Sequence, residues 1–193
     1  MSKLHFVGDI NFSCDPSLEL IRKDIWDDSD SMNEDLVSNW NENVADNDIV
    51  IVIGTFFNFT SSIEEKREIY SRLKGRISHV QGLAPYSKMD DELVITYQES
   101  TFRYKDFLIH VSNNFDFINK INCNFSVISN DNAMIGKQNE KYIYIEEPYS
   151  GATILKNRLQ FPIYNAYIDA WDFYPTSIDD ILYFYSNYKK SEE

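Results

Sequence analysis

The chain has 193 residues, with 18 Lys and Arg against 31 Asp and Glu, and a formal net charge of −13. Hydrophobic residues make up 43% of it and aromatic ones 15%, enough apolar surface to offset the entropy of ordering and so to exclude intrinsic disorder. A sequence pI near 4.6 argues against direct nucleic-acid binding and against an anionic membrane surface, which both need a basic face. It leaves a solvating acidic surface, a cation or a basic partner.

Lys3 to Gly8 reads as a short strand ending at Gly8-Asp9. Asp15-Pro16 predicts the start of a helix through Ile25, since Pro suits a first turn. After the polar break Asp27-Asp28-Ser29-Asp30, Ser31 and Glu34 have the spacing of a capping box. Met32, Leu36, Trp40 and Val44 then recur every four residues, as on one helix face. Ile49 to Ile53 is a β-branched run closed by Gly54, and apolar character on both faces predicts a central, buried strand.

Ser61 and Glu64 have the spacing of a second capping box. The helix behind them carries Ile63, Ile69, Tyr70 and Leu73, with Gly75 suited to its C-terminal exit. Ile77 to Gln81 reads as the third strand. Later candidates are Leu93–Tyr97, Phe107–Val111, Asn124–Ile128, Lys141–Glu146 and Ile163–Ile168, with a short helix over Phe115–Ile121. Ser177 is the expected N-cap of a closing helix that places Ile178, Ile181, Leu182 and Tyr185 on one face.

The alternation of strand and helix through residue 81 predicts a mostly parallel sheet with helices outside it. The strand-rich second half predicts a second sheet packed on the first. One domain over residues 1–193 is expected, with no repeat or linker. Cys14 and Cys123 form no Cys-x-x-Cys pair. No secretory leader is recognised and no apolar run nears the ~20 residues of a membrane span. The expectation is therefore a cytoplasmic, thiol-reduced protein. Chemistry in such a sheet belongs beyond the carboxyl ends of the strands, at Asp9-Ile10-Asn11, Gly54-Thr55 and Gly82-Leu83-Ala84.

Around those strand ends the chain resembles the calcineurin-like metallophosphoesterases, in particular their small bacterial and phage branch. The likeness lies in Phe6-Val7-Gly8-Asp9, Asn39-Trp40-Asn41, Asp48, Gly54 and Lys74-Gly75-Arg76. It is strongest from Asn165 to Ile181. An Asn-, Asp-, Ile-, Tyr- and Lys-rich composition suits a bacterium or a phage-infected host cell as the setting. The resemblance implies an α/β fold, a β-sandwich of two mixed sheets flanked by helices. It also implies a site in which carboxylates, imidazoles and an Asn hold two divalent ions, such as Mn or Zn, that activate a hydroxide and clamp phosphate oxygens.

The motifs that carry this chemistry are altered. Asp-x-His is Asp9-Ile10-Asn11, so the carboxylate stays and the imidazole goes. Gly-Asp, whose carboxylate bridges the metals, is Gly54-Thr55, and a neutral hydroxyl cannot supply that charge. Gly-Asn-His-Asp is Gly82-Leu83-Ala84-Pro85. The lone His after an apolar strand corresponds to His110, and Gly-His-x-His to Ser129-Asn130-Asp131-Asn132. The expectation is a pseudoenzyme with no metal or cofactor and no catalytic residues, Asp9 and His110 being remnants. One carboxylate does not hold a catalytic ion, so Asp9 reads first as a strand-end group hydrogen-bonded to nearby amides. His5 and His79 read as structural.

Three readings stay open. A binding or regulatory protein would meet a protein partner, basic in character, through the acidic segment Asp24, Asp27, Asp28, Asp30, Glu34 and Asp35 and nearby aromatics. An active metal-dependent phosphoesterase would use a displaced site around Asp9, His110 and Asp131. A sensor would hold a nucleotide-like ligand in the old cleft, lined by Asp9, Asn11, Thr55, Asn130 and Asn132.

Overall fold

A computed structural model describes residues 2–18, 22–81, 93–112, 123–129, 142–146, 153–157, 162–166 and 172–183. The strands are β1 (Leu4–Gly8), β2 (Ile49–Gly54), β3 (Arg76–Gln81), β4 (Thr96–Tyr97), β5 (Glu99–Tyr104), β6 (Phe107–Ser112), β7 (Phe125–Ile128), β8 (Tyr142–Glu146), β9 (Thr153–Asn157), β10 (Pro162–Asn165) and β11 (Thr176–Ser177). The helices are α1 (Ser29–Asn43) and α2 (Ile63–Arg72). One sheet has the order β11-β1-β2-β3-β4 and the other β5-β6-β7-β10-β9-β8. Both are mixed. In the first, β1 to β4 run parallel and β11 is antiparallel. In the second, β6, β7 and β10 run parallel, with β5 and β9 antiparallel beside them. Two mixed sheets flanked by helices is the fold class the resemblance implies. Among the described residues, no helix is long and apolar enough to cross a membrane.

The two-faced apolar run of β2 has a direct cause. Val50 and Val52 point to a core shared with α1 and α2, where Met32, Leu36, Trp40 and Ile69 are buried. Ile51 and Ile53 point to a second core between the sheets, with Phe6, Ile109, Phe125 and Val127. A strand covered on both sides has no polar face to alternate with.

Several local expectations shift. Helix α1 begins three residues early, because Asp28 rather than Ser31 is its cap: Asp28 Oδ1 accepts from the Ser31 amide at 2.8 Å. Ser62, not Ser61, caps α2 and accepts from the Glu65 amide at 3.1 Å. The helix expected over residues 15–25 is two 3₁₀ turns, Pro16–Leu18 and Arg22–Asp24. Strands β5, β9 and β11 were not anticipated, and Leu93–Tyr97 shortens to Thr96–Tyr97. Ser177 does cap the closing helix: its hydroxyl donates to Asp180 Oδ2 at 2.6 Å and accepts from the Asp180 amide at 3.2 Å. Phe115–Ile121 lies outside the described residues.

Candidate functional site

The carboxyl ends of β1 and β2 meet at Asp9. Asp9 Oδ1 accepts from the Thr55 amide at 2.7 Å, and its Oδ2 accepts from the Ser129 hydroxyl. Ser129 follows β7 of the other sheet, so one carboxylate ties the tops of the two sheets together. The backbone reinforces the tie: Gly8 N–H donates to Ala166 O at 2.7 Å, and Ala166 N–H to Ile128 O at 2.8 Å. Gly54 has φ +85°, and a Cβ there would lie 2.2 Å from Asp9 Oδ1. The position therefore requires glycine both for its backbone and for the space Asp9 occupies.

The loop beyond β1 is zipped onto the loop beyond β2. Asp9, Asn11 and Phe12 donate their amides to the carbonyls of Ile53, Thr55 and Phe56 at 2.8, 3.1 and 3.0 Å. The Ser13 amide goes to Asn33 Oδ1 on α1 at 2.8 Å. Asp9, Asn11 and Ser13 all have positive φ, at 45°, 52° and 61°. Short polar residues tolerate that region, and the dense backbone pairing holds them in it.

Arg22 lies under this loop, 1% exposed. Its guanidinium donates to Ile10 O at 2.9 Å and Asp9 O at 3.3 Å, faces Cys14 Sγ at 3.6 Å and sits 5.9 Å from the Phe173 ring centroid. Nothing in the composition marked Arg22. It is one of two adjacent cations, with Lys23, in an acidic stretch, and its burial follows from the 3₁₀ turn that stands where a helix was expected. Ser129 was also missed as a site residue. Its signal was its place at the end of an apolar strand.

Behind Gly54, His79 on β3 is fully buried. Its Nε2 donates to Gly54 O at 2.7 Å, since a carbonyl can only accept, and its Nδ1 lies 3.1 Å from Thr96 Oγ1. Burial pushes its pKa down, against the opposing pull of the Gly54 carbonyl. It is a neutral structural ring, as is fitting for its place inside a strand.

Asp9, Asn11 and Thr55 are thus neighbours. Asn130 and Asn132 lie outside the described residues, with Asp131. His110 is not at this site. It pairs with Ser126 across β6 and β7, three residues and so about 10 Å along the strand from Ser129. It is fully buried, its Nδ1 is 2.9 Å from Thr101 Oγ1, and its Nε2 is 3.7 Å from Glu99 Oε2. Burial lowers its pKa and the Glu99 charge opposes that. Among the described residues, no group of three or more His, Cys, Asp or Glu is placed to hold a metal ion.

The acidic segment divides. Asp28 caps α1, and that backbone hydrogen bond holds its carboxyl below the usual range. Glu34 pairs with Arg72 of α2 through both oxygens, at 2.7 and 2.6 Å. Asp35 accepts from Trp26 Nε1 at 2.8 Å. Asp24, Asp27 and Asp30 are exposed.

No family model matches the chain, and no curated protein matches it by sequence. Among solved structures it is similar to a protein of unknown function, AQ665, from Aquifex aeolicus, with a TM-score of 0.66 at 15% identity, over 95% of this chain and 100% of that one. It is also similar to Vps29 from Chaetomium thermophilum, with a TM-score of 0.42 at 11% identity over 86% of this chain and 68% of that one. An archaeal phosphodiesterase gives a TM-score of 0.36 at 14% identity over 84% of this chain and 82% of that one. The likeness to the Aquifex structure is one of fold, carried over nearly the whole of both chains.

Proposed function

We propose that the chain is a metallophosphoesterase-like scaffold without a metal centre, one that works as a binding or regulatory protein through protein–protein contacts. The observation that supports this most is the state of Asp9. A metal ligand needs lone pairs aimed at an open position. Both Asp9 oxygens are already engaged, each accepting a hydrogen bond that fastens the two sheets to each other and fixes the carboxylate's orientation. Among the described residues, the donors around it are an amide at Asn11 and a hydroxyl at Thr55, and beneath it lies the fixed positive charge of Arg22. That set does not fit two divalent cations, which need anionic donors to balance their charge.

The same geometry disfavours the nucleotide-sensor reading. A phosphate held at a strand end is cradled by loop amides. Here the amides of Asp9, Asn11, Phe12 and Ser13 are already committed. The partner surface we propose is narrower than the whole acidic segment. It centres on Asp24, Asp27 and Asp30 with Leu18 and Ile25, which are 81% and 51% exposed. This segment is held from below by Arg22 and by Trp26, whose ring packs edge-on to Phe173. Exposed aliphatics rimmed by acids suit a basic partner with an apolar face.

Calorimetric titration of Mn²⁺ into chelator-stripped protein tests the loss of the metal centre. Flat heats at sub-millimolar metal are expected. A one- or two-site isotherm would overturn the reading and turn attention to phosphodiester hydrolysis.

A further inference from the structure

At the opposite end of the strands from Asp9, the core between the two sheets is open. A groove of ≈ 300 Å³ there is lined by Ser2, Lys3, Leu4, Ile49, Ile51 and the β5 stretch from Phe102 to Tyr104. Its floor is the lower rim of the inter-sheet core: Leu4 and Ile51 belong to that core, and Phe102 and Tyr104 pack against it. Ile49, the first residue of β2, is still 36% exposed. Its wall is β5, an edge strand paired on one side by β6 and on the other by no described strand.

The charges of this lining run against those of the chain. The protein as a whole carries −13, yet among the described residues the charged ones of the groove are Lys3 and Arg103, both exposed, and no carboxylate lines it. Among the described residues neither cation has an ion-pair partner, although Lys105 just beyond pairs with Asp179 at 3.7 Å. The nearest buried acid, Asp48, is turned away: its oxygens accept from the backbone amides of Lys3 and Ala45 at 2.7 and 3.0 Å and contact His5 at 3.1 Å. An apolar slot of this size with cations at its rim, in an otherwise acidic surface, is complementary to one kind of ligand.

We propose that this groove is a binding site for a small amphipathic anion, an aliphatic or aromatic body bearing a carboxylate or a similar acidic head. The body lies on Leu4, Ile49, Ile51 and Phe102, and the head meets Lys3 and Arg103. The site is independent of the strand ends at Asp9 and does not rest on the absence of a metal centre.

The test is a titration of the full-length, ¹⁵N-labelled protein with octanoate and, separately, with octan-1-ol, which has the same body without the charge. Octanoate is expected to shift the amides of Leu4, Ile49, Ile51, Phe102 and Tyr104 saturably, and octanol to bind at least about tenfold more weakly. The Lys3→Gln/Arg103→Gln variant, altered only at exposed side chains, should weaken octanoate by about tenfold and leave octanol unchanged. An unchanged thermal midpoint would show that the variant is folded. Equal binding of octanol, no shift at those amides with millimolar octanoate, or an unaffected variant would each overturn the proposal.

Discussion

Asp9 joins the two sheets through both oxygens of one carboxylate. Its carboxylate serves two donors from two sheets, so removing it strands both. Asp9→Ala is expected to cost about 2–4 kcal/mol in chemical denaturation, the scale of leaving partly buried donors without an acceptor. Asp9→Asn should cost less, because an amide oxygen still accepts from Thr55. A loss near zero for Asp9→Ala would mean the two sheets are not fastened there. The buried titratable side chains give a second check. His79 and His110 both have pKa values lowered by burial. Below an unfolded value of about 6.5 the unfolded chain takes up protons that the folded one refuses, so stability falls as pH drops through that range. His79→Gln should flatten this dependence. Asp48 acts at lower pH. Burial pushes its carboxyl up, but the Lys3 and Ala45 amides and His5 together outweigh that and hold it below the usual value. Its stabilisation is present above the unfolded carboxylate value, about 3.9, and is lost as pH falls through the folded one. The stability gap between the wild type and Asp48→Asn should therefore narrow on acidification below pH ~4.

At the scale of elements, a seam of side-chain hydrogen bonds joins α1 to the turn before β3. Trp40 Nε1 donates to Lys74 O at 2.9 Å. Asn41 donates to Arg72 O and accepts from the Lys74 amide, each at 2.9 Å. The carbonyl at the end of α2 and the amide that follows it thus find partners on α1. Asn41→Ala should destabilise by about 1–3 kcal/mol. Asn43→Ala, which removes one exposed bond to Asn39 O at 3.0 Å, should fall within about 0.5 kcal/mol. Similar losses for the two would deny the seam its role. Legibility in the sequence follows the same physics. β2 was readable because burial on both faces makes it apolar throughout, and β1, β3, β6 and β7 because each carries apolar, largely β-branched or aromatic residues around one or a few polar ones. α1 was readable from Met32 to Val44, though its start was not, since Asp28 and Ser31 both offer an oxygen in capping position. β5 was missed because Glu99, Thr101 and Arg103 dilute its apolar content, though their alternation with Phe102 and Tyr104 was a period-two signal. At the site, Asp9, Asn11 and Thr55 could be placed together because each ends or follows a parallel strand. Arg22 could not, since its role depends on a 3₁₀ turn where a helix was expected, and the Ser129 hydroxyl could not, since its place at the head of Gly-His-x-His pointed to imidazole ligands after it rather than to a bond with Asp9.

For the whole molecule the governing quantity is net charge. With 31 acidic residues against 18 basic ones, folding concentrates like charge, and the compact state repels itself at neutral pH. Internal pairing relieves part of this, as where Arg72 meets both Glu34 and Glu68, but such exposed pairs stabilise weakly and are screened by salt. Repulsion is therefore expected to outweigh attraction. Raising NaCl from about 10 mM to about 0.5 M, which shortens the screening length from ~30 Å to a few Å, should raise the thermal midpoint at pH 7.5. Near the sequence pI of about 4.6 the net charge vanishes, and the same salt step should have little effect or lower the midpoint slightly as the remaining pairs are screened. The two pH terms then oppose each other on acidification. Relief of repulsion stabilises, while the buried histidines destabilise below about pH 6.5. At low salt the repulsive term is large, so stability should fall less steeply with acid than at high salt, where only the histidine term survives. Melting curves over both salt conditions from pH 7.5 to 5 separate the two contributions. A midpoint that drops on adding salt at pH 7.5 would instead mean that attractive pairs dominate the acidic surface, and would leave fewer of its carboxylates available to a basic partner.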